Sequence, residues 1–126
     1  MQITSRQDAI ILGTLLGDGC LERNGTWTRL RLEHGSSQKS YLEWKNEELK
    51  SLITGSVMKM HYYHKINKRF YDSVRAYTFS DKMFDYYRNI FYFNKKKVIP
   101  KNIESLLVNP LSLAVWFMDD GYKRND

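Results

Sequence analysis

Apolar and polar positions divide this chain into alternating helical and extended stretches. Ile10, Leu12, Leu15 and Leu16 recur at helical spacing. Thr4-x-x-Gln7 ahead of them has the form of a capping box. Gly17 and Gly19 break the helix around Asp18. Cys20–Arg23 and Thr26–Glu33 then flank Asn24-Gly25, the strongest short hairpin signal. In the second strand Thr28, Leu30 and Leu32 share one face, and Trp27, Arg29, Arg31 and Glu33 share the other. Such a sheet can pack its apolar face on helices and offer the charged face to a ligand. After a polar connection at His34–Lys39, Ser40-x-x-Glu43 opens a helix predicted to reach about Ile53. Leu42, Leu49, Leu52 and Ile53 mark its buried side, with Gly55 as C-cap. Val57–His64 and Phe70–Phe79 read as a second strand pair, joined through the basic loop Lys65–Arg69. Ser73, Arg75 and Tyr77 lie on one face of the later strand, and Val74, Ala76 and Thr78 on the other. Ser80 is the expected cap of a third helix, whose stripe Met83, Phe84, Tyr87, Ile90 and Phe91 is core. Asn109 and Pro110 open a last helix.

The order is helix, two strands, helix, two strands, helix: an α+β chain with antiparallel sheet. Its 126 residues suffice for one core and little more. A hydrophobic share of 42% and an aromatic share of 14% exclude a disordered chain. No apolar run approaches the roughly 18 residues of a membrane span, Met1–Arg6 does not read as a signal peptide, and no membrane partner is expected. Cys20 is the sole cysteine, so a reducing, intracellular setting is expected. Richness in Lys, Asn, Ile, Tyr and Phe fits an AT-rich gene of an organelle or a microbe. The net charge of +6 and pI near 9.4 favour a polyanionic partner, nucleic acid before membrane. His61 and His64 are three apart on a strand, which points them to opposite faces, so a zinc site is not expected there.

One pattern occurs twice. Ile11–Gly19 (Ile-Leu-Gly-Thr-Leu-Leu-Gly-Asp-Gly) and Leu113–Gly121 (Leu-Ala-Val-Trp-Phe-Met-Asp-Asp-Gly) are apolar helical stretches ending in Asp-Gly at the same two positions. Either alone is most simply a core helix with a glycine cap. Gly13 and Gly17 are four apart and open one face of the first helix to a close partner. If the two stretches pack side by side, Asp18 and Asp120 come together. Two nearby carboxylates are costly unless a cation lies between them.

Together the two stretches resemble the motif of the LAGLIDADG homing endonucleases and related intron maturases. Gly13, Leu15, Gly17, Asp18 and Gly19 match in the first copy, and Leu113, Ala114, Asp120 and Gly121 in the second. Val115 and Asp119 depart from the small residues usual there. Trp116–Gly121 looks like the second motif of the monomeric two-motif branch, and Lys95–Pro100 extends the likeness upstream. The resemblance implies an αββαββα core, residues 1–105, followed by a second motif helix at 106–126 that opens another domain. The chain then reads as the first half of a two-motif enzyme, whether truncated, split or excerpted, that needs a second domain or partner chain to complete its DNA interface.

The resemblance further implies a double-stranded DNA endonuclease that hydrolyses phosphodiesters with Mg²⁺, two or more ions, Mn²⁺ being able to substitute. Paired ions about 3.5–4 Å apart can activate water and stabilise the leaving oxygen. Asp18 and Asp120 are the expected catalytic and metal-holding acids, and Lys97 the lysine near the cleavage centre. Asp119 is expected to be a flanking polar residue or a backbone carbonyl ligand. Gly13, Gly17, Ala114 and Val115 are the expected helix interface. Arg29 and Arg31 are the expected readers of bases in the major groove, Arg75 is a further expected DNA contact, and Lys65, Lys68, Arg69 and Lys96 are expected to meet phosphates. The alternatives are a maturase that binds intron RNA without cutting, and a DNA-binding regulator that has lost catalysis.

Overall fold

The computed structural model describes residues 2–121. Helix α1 (Ser5–Leu16) leads into the hairpin β1 (Cys20–Asn24) and β2 (Trp27–Gly35). A 3₁₀ turn (Ser36–Gln38) and α2 (Lys39–Glu48) precede a second hairpin, β3 (Ile53–His64) and β4 (Arg69–Thr78). Then come α3 (Lys82–Phe91), a small hairpin of β5 (Tyr92–Phe93) and β6 (Lys96–Lys97), α4 (Ile103–Leu106) and α5 (Pro110–Gly121). The four long strands form one antiparallel sheet in the order β1-β2-β4-β3.

The expected α+β architecture is present, with local differences that have physical causes. The Thr4 capping box forms: the Thr4 hydroxyl accepts from the Gln7 N–H at 3.0 Å, and the Gln7 side-chain Oε1 accepts from the Thr4 N–H at 3.1 Å. The first hairpin turns at Gly25-Thr26, one residue later than expected, because Asn24 still pairs with Trp27. Gly25 takes φ +71°, which glycine adopts without strain. Helix α2 ends at Glu48, short of Ile53, because Ile53 and Thr54 pair with Thr78 and Tyr77. Gly55 is therefore not a helix cap. At φ +72° it lies where the β3–β4 register shifts, the usual place of a bulge. Nor does Ser40 cap α2, which begins a residue earlier without a side-chain cap. Asp81 caps α3 in place of Ser80, accepting from the Met83 N–H at 3.0 Å.

The sheet's inner face and the helices share one core. Leu30, Leu32, Val74 and Ala76 meet Ile10, Leu15, Leu42, Leu49, Phe84 and Phe91, all buried. Each such side chain stabilises the fold by roughly 1.5–3 kcal/mol relative to exposure. Helix α5 packs along α1, and the two glycines set how near it comes. A Cβ on Gly13 would lie 2.4 Å from the Ser112 carbonyl oxygen, and one on Gly17 2.4 Å from the Asp119 Cβ. No described helix is long and apolar enough to cross a membrane.

Candidate active site

The shared end of α1 and α5 gathers charge in a small space. Asp18 sits in the turn leaving α1, held where the Gly19 N–H donates to the Thr14 carbonyl at 2.7 Å. Its own N–H donates to Asp119 Oδ2 at 3.0 Å. Asp119, on α5, is wholly buried. Its Oδ1 accepts from Tyr41 Oη at 2.7 Å and from Lys45 Nζ at 2.8 Å, both on α2. Lys45 is as buried as Asp119, and its Nζ lies 3.2 Å from His34 Nε2. An ammonium has only donors, so that nitrogen accepts and the ring proton resides on Nδ1. Nδ1 faces Asp18 Oδ2 at 3.8 Å. The contacts close a loop from the Asp18 backbone through Asp119, Lys45 and His34 to the Asp18 carboxylate.

Burial sets the electrostatics. It lowers the Lys45 pKa, while the charge and hydrogen bond of Asp119 pull it back up. The Tyr41 phenol is raised by burial and then by its bond to Asp119, so it remains a donor at ordinary pH. A buried carboxylate needs such partners, since an unpaired one would cost several kcal/mol.

Lys97 reaches the same helix end from β6. The β5–β6 hairpin turns through Asn94 and Lys95 at positive φ and brings Lys97 Nζ 2.9 Å from the Gly17 carbonyl, which accepts its proton, as does the Gly19 carbonyl. Burial lowers its pKa, and the charges of Cys20, Asp18, Asp119 and Asp120 oppose that. Asp120 is half-buried, its Oδ2 accepting from Trp116 Nε1 at 2.7 Å one helical turn back.

The structure thus brings Asp18, Asp120 and Lys97 to one end of the helix pair. Two expectations need correction. Asp119 is no flanking residue but the buried acid of the interface. Ala114 is exposed and does not face α1. Ser112, Val115 and Asp119 do, being buried at i, i+3 and i+7. Matching motif letters put Ala114 in the interface; counting helix faces puts it outside.

Among the described residues no group of three or more His, Cys, Asp or Glu is arranged to hold a metal ion. That does not conflict with Mg²⁺, which usually takes one or two carboxylates and completes its shell with waters and substrate phosphates. Asp18 and Asp120 offer hard oxygen donors of that kind, with the Gly17 and Gly19 carbonyls beside them.

The remaining expected residues lie elsewhere. Arg29 and Arg31 project from the outer sheet face and share Glu22, at 2.7 and 3.3 Å. Arg75 pairs with Glu33 at 2.8 Å, and the Arg29 guanidinium lies 3.8 Å from the Tyr77 ring centre. Part-exposed pairs of this kind contribute about 0–1 kcal/mol, so the arginines are free to exchange partners. Lys65, Lys68 and Arg69 lie around the exposed β3–β4 turn, remote in sequence from the acids, and Lys96 is exposed in β6. Sequence reasoning missed Lys45, His34 and Tyr41. Lys45 did carry a signal: it lies three residues after Leu42 and four before Leu49, a charge within an apolar stripe.

Residues 8–126 match the model of the LAGLIDADG DNA endonuclease family. The chain belongs to this family. Curated relatives of the LAGLIDADG chain include Protein RecA of Mycolicibacterium chitae, 32% identical over 127 residues, which cover 95% of this chain and 27% of that protein. Cytochrome b mRNA maturase bI2 of Saccharomyces cerevisiae is 33% identical over 129 residues, 91% of this chain and 29% of the relative. The Debaryomyces hansenii maturase of the same name is 30% identical over 118 residues, covering 90% and 45%. The LAGLIDADG fold is shared with the homing endonuclease I-WcaI, solved bound to its DNA recognition sequence, at a TM-score of 0.83 and 24% identity. That match covers 95% of this chain and 53% of the endonuclease. The chain therefore spans less than half of these curated relatives and about half of the structural neighbour.

Proposed function

We propose that this chain forms one half of a site-specific homing endonuclease that hydrolyses double-stranded DNA. The observation that carries the reading is the meeting of Asp18, Asp120 and Lys97 at the common end of two motif helices. A pure binding role gives no reason to gather these groups. Asp18 and Asp120 would hold Mg²⁺, which when bound supplies charge neutralisation at the phosphodiester and a more acidic water. The chain's own contribution is positional. Asp119 fixes the Asp18 backbone, and Lys97, held on the Gly17 and Gly19 carbonyls, brings a cation to the edge where a phosphate would lie. The outer sheet face, with Arg29, Arg31 and Arg75, would lie in the major groove, and Lys65, Lys68, Arg69 and Lys96 would meet the backbone.

Residues 1–105 would form one DNA-binding unit and α5 would begin the next. The outward side of α5 supports this: Leu113 and Met118 are exposed and Phe117 is 72% exposed, more apolar surface than a helix leaves to water without a covering layer. A second αβ layer, from the same polypeptide or a partner, would cover it and supply the other half of the DNA contacts.

The maturase relatives favour a second reading, RNA binding in aid of splicing without cleavage. A nicking assay on duplex DNA with Mg²⁺, against the same protein in EDTA, separates the two. Metal-dependent cutting supports the endonuclease; intact DNA under both conditions, with tight intron RNA binding, supports the maturase.

A further inference from the structure

The outer half of the β3–β4 hairpin stands clear of the sheet. Pairing of β2 with β4 stops at Gly35–Ser73, whereas β3 and β4 continue together from His61–Asp72 to His64–Arg69. This two-stranded ribbon therefore has two open faces. The alternation along β4 puts Tyr71 on the side of Arg75 and Tyr77, the proposed duplex-facing side. Phe70 and Asp72 fall on the side of Val74 and Ala76, which is the helix side. Their register partners Tyr63 and His61 lie there too.

That rear face carries an aromatic ladder. The His61 and Phe70 rings stack at 4.9 Å with 8° between planes, and Tyr63 meets Phe70 at 5.0 Å. Phe70 is 65% exposed and Tyr63 49%. At its foot is a groove of about 430 Å³ lined by Ser36, Lys39, Lys59, His61, Asp72 and Val74. The Asp72 carboxylate is engaged by His61, which leaves the exposed Lys39 and Lys59 to set the sign of the surface. Nothing in the cleavage reading uses this face, because a duplex on the outer sheet surface lies on the other side of the ribbon.

Exposed flat rings beside lysines fit a ligand that is both planar and anionic. Bases in a duplex are stacked on one another and cannot lie on a side chain, whereas unpaired bases can, with phosphates reaching nearby cations. We propose that the rear face of the β3–β4 ribbon is a binding site for single-stranded nucleic acid, with bases stacked on Phe70 and Tyr63 and phosphates held by Lys39 and Lys59.

The test uses fluorescence anisotropy with three labelled probes: a 12-nucleotide uridine RNA, a 12-nucleotide thymidine DNA and a 24-base-pair duplex. Replacing both rings (Tyr63→Ser with Phe70→Ser) is expected to weaken the tighter-binding single strand about tenfold or more, as loss of stacking does, and to leave duplex affinity within about twofold. Should that variant melt early, Lys39→Gln with Lys59→Gln removes the exposed charges alone and carries the same expectation. Preference for either single strand supports the site. Absence of single-strand binding by the native chain, unchanged affinity in both variants, or an equal loss toward the duplex would overturn it. Because duplex binding is read in parallel, failure here is distinct from failure of the endonuclease reading.

Discussion

Lys45→Met tests the buried contact loop most directly. The change keeps the length and most of the volume of the side chain while removing its charge. It leaves the Asp119 carboxylate with no exposure to water and without the cation at 2.8 Å. Tyr41 and the Asp18 N–H remain as donors, so the acid is not abandoned, but its charge is uncompensated. Removing one partner of a buried pair costs about 3–5 kcal/mol. Against a total stability of about 5–15 kcal/mol for a natural domain, that is a large share. For a chain of this size it corresponds to a fall in Tm of roughly 10–20 °C. Asp119→Asn alone should also destabilise, by stranding the Lys45 ammonium. Joining the two changes removes both charges and leaves a neutral amide that still accepts from Asp18. The double variant should therefore be more stable than the sum of the single losses allows, with a coupling of about 1–3 kcal/mol. Urea melts followed by far-ultraviolet circular dichroism supply all four corners of the cycle. A loss below about 1 kcal/mol for Lys45→Met, together with additive behaviour of the double variant, would refute the claim that this pair holds the helix ends together.

The other predictions follow from the same geometry. On the proposed endonuclease reading, Asp18→Asn should abolish Mg²⁺-dependent cleavage yet leave duplex affinity nearly unchanged; equal cleavage would remove Asp18 from the mechanism. Gly17→Ala should destabilise by about 1–3 kcal/mol or more, because its Cβ would meet that of Asp119 at 2.4 Å, and a thermal melt reads this directly. The Tyr41 and Tyr87 phenols are raised above the ordinary 10.0, by burial first and then by their bonds to Asp119 and Asp8. The folded chain thus keeps protons that the unfolded chain loses, and stability should fall as the pH rises past 10.0. Tyr41→Phe should flatten that fall, and an unchanged slope would exclude Tyr41 as its source. Duplex binding should weaken steeply with salt. Lys68→Ala should weaken all sequences alike, whereas Arg31→Ala should relax preference at one base pair by about 1–3 kcal/mol; the reverse pattern would mean the two surfaces have been exchanged.

Much of the fold was legible because its cues are local. The Thr4–Gln7 box, the alternation from Thr28 to Leu32 and the Asn109-Pro110 start each act within a few residues. Helix ends were less legible where a distant strand competed for them. Leu52 and Ile53 continue a helical pattern, yet Thr78 and Tyr77, more than twenty residues on, draw Ile53 and Thr54 into the sheet. The acids of the site were visible as a repeated Asp-Gly. Their support was not, because Lys45 and Asp119 are 74 residues apart and His34 stood in an apparent loop. In the structure His34 lies within β2, one residue before its end, and is buried, so a residue that looked like connection is part of the interior.

Of the positions at which the two motif helices differ, one pair, Gly17 in α1 and Asp119 in α5, decides which helices can be mates. Were α1 to dock on the α1 of a second copy, glycine would oppose glycine and no carboxylate would reach Lys45. Its ammonium would then be interred alone, at a cost of several kcal/mol, and an alternative assembly that looks admissible by shape is rejected by charge. Two equal motif helices could form homodimers and mixed pairs indiscriminately. An α2 that carries a lysine where its core stripe calls for leucine accepts only a neighbour bearing the matching acid, so α1 and α5 can diverge in sequence without losing the ability to find each other.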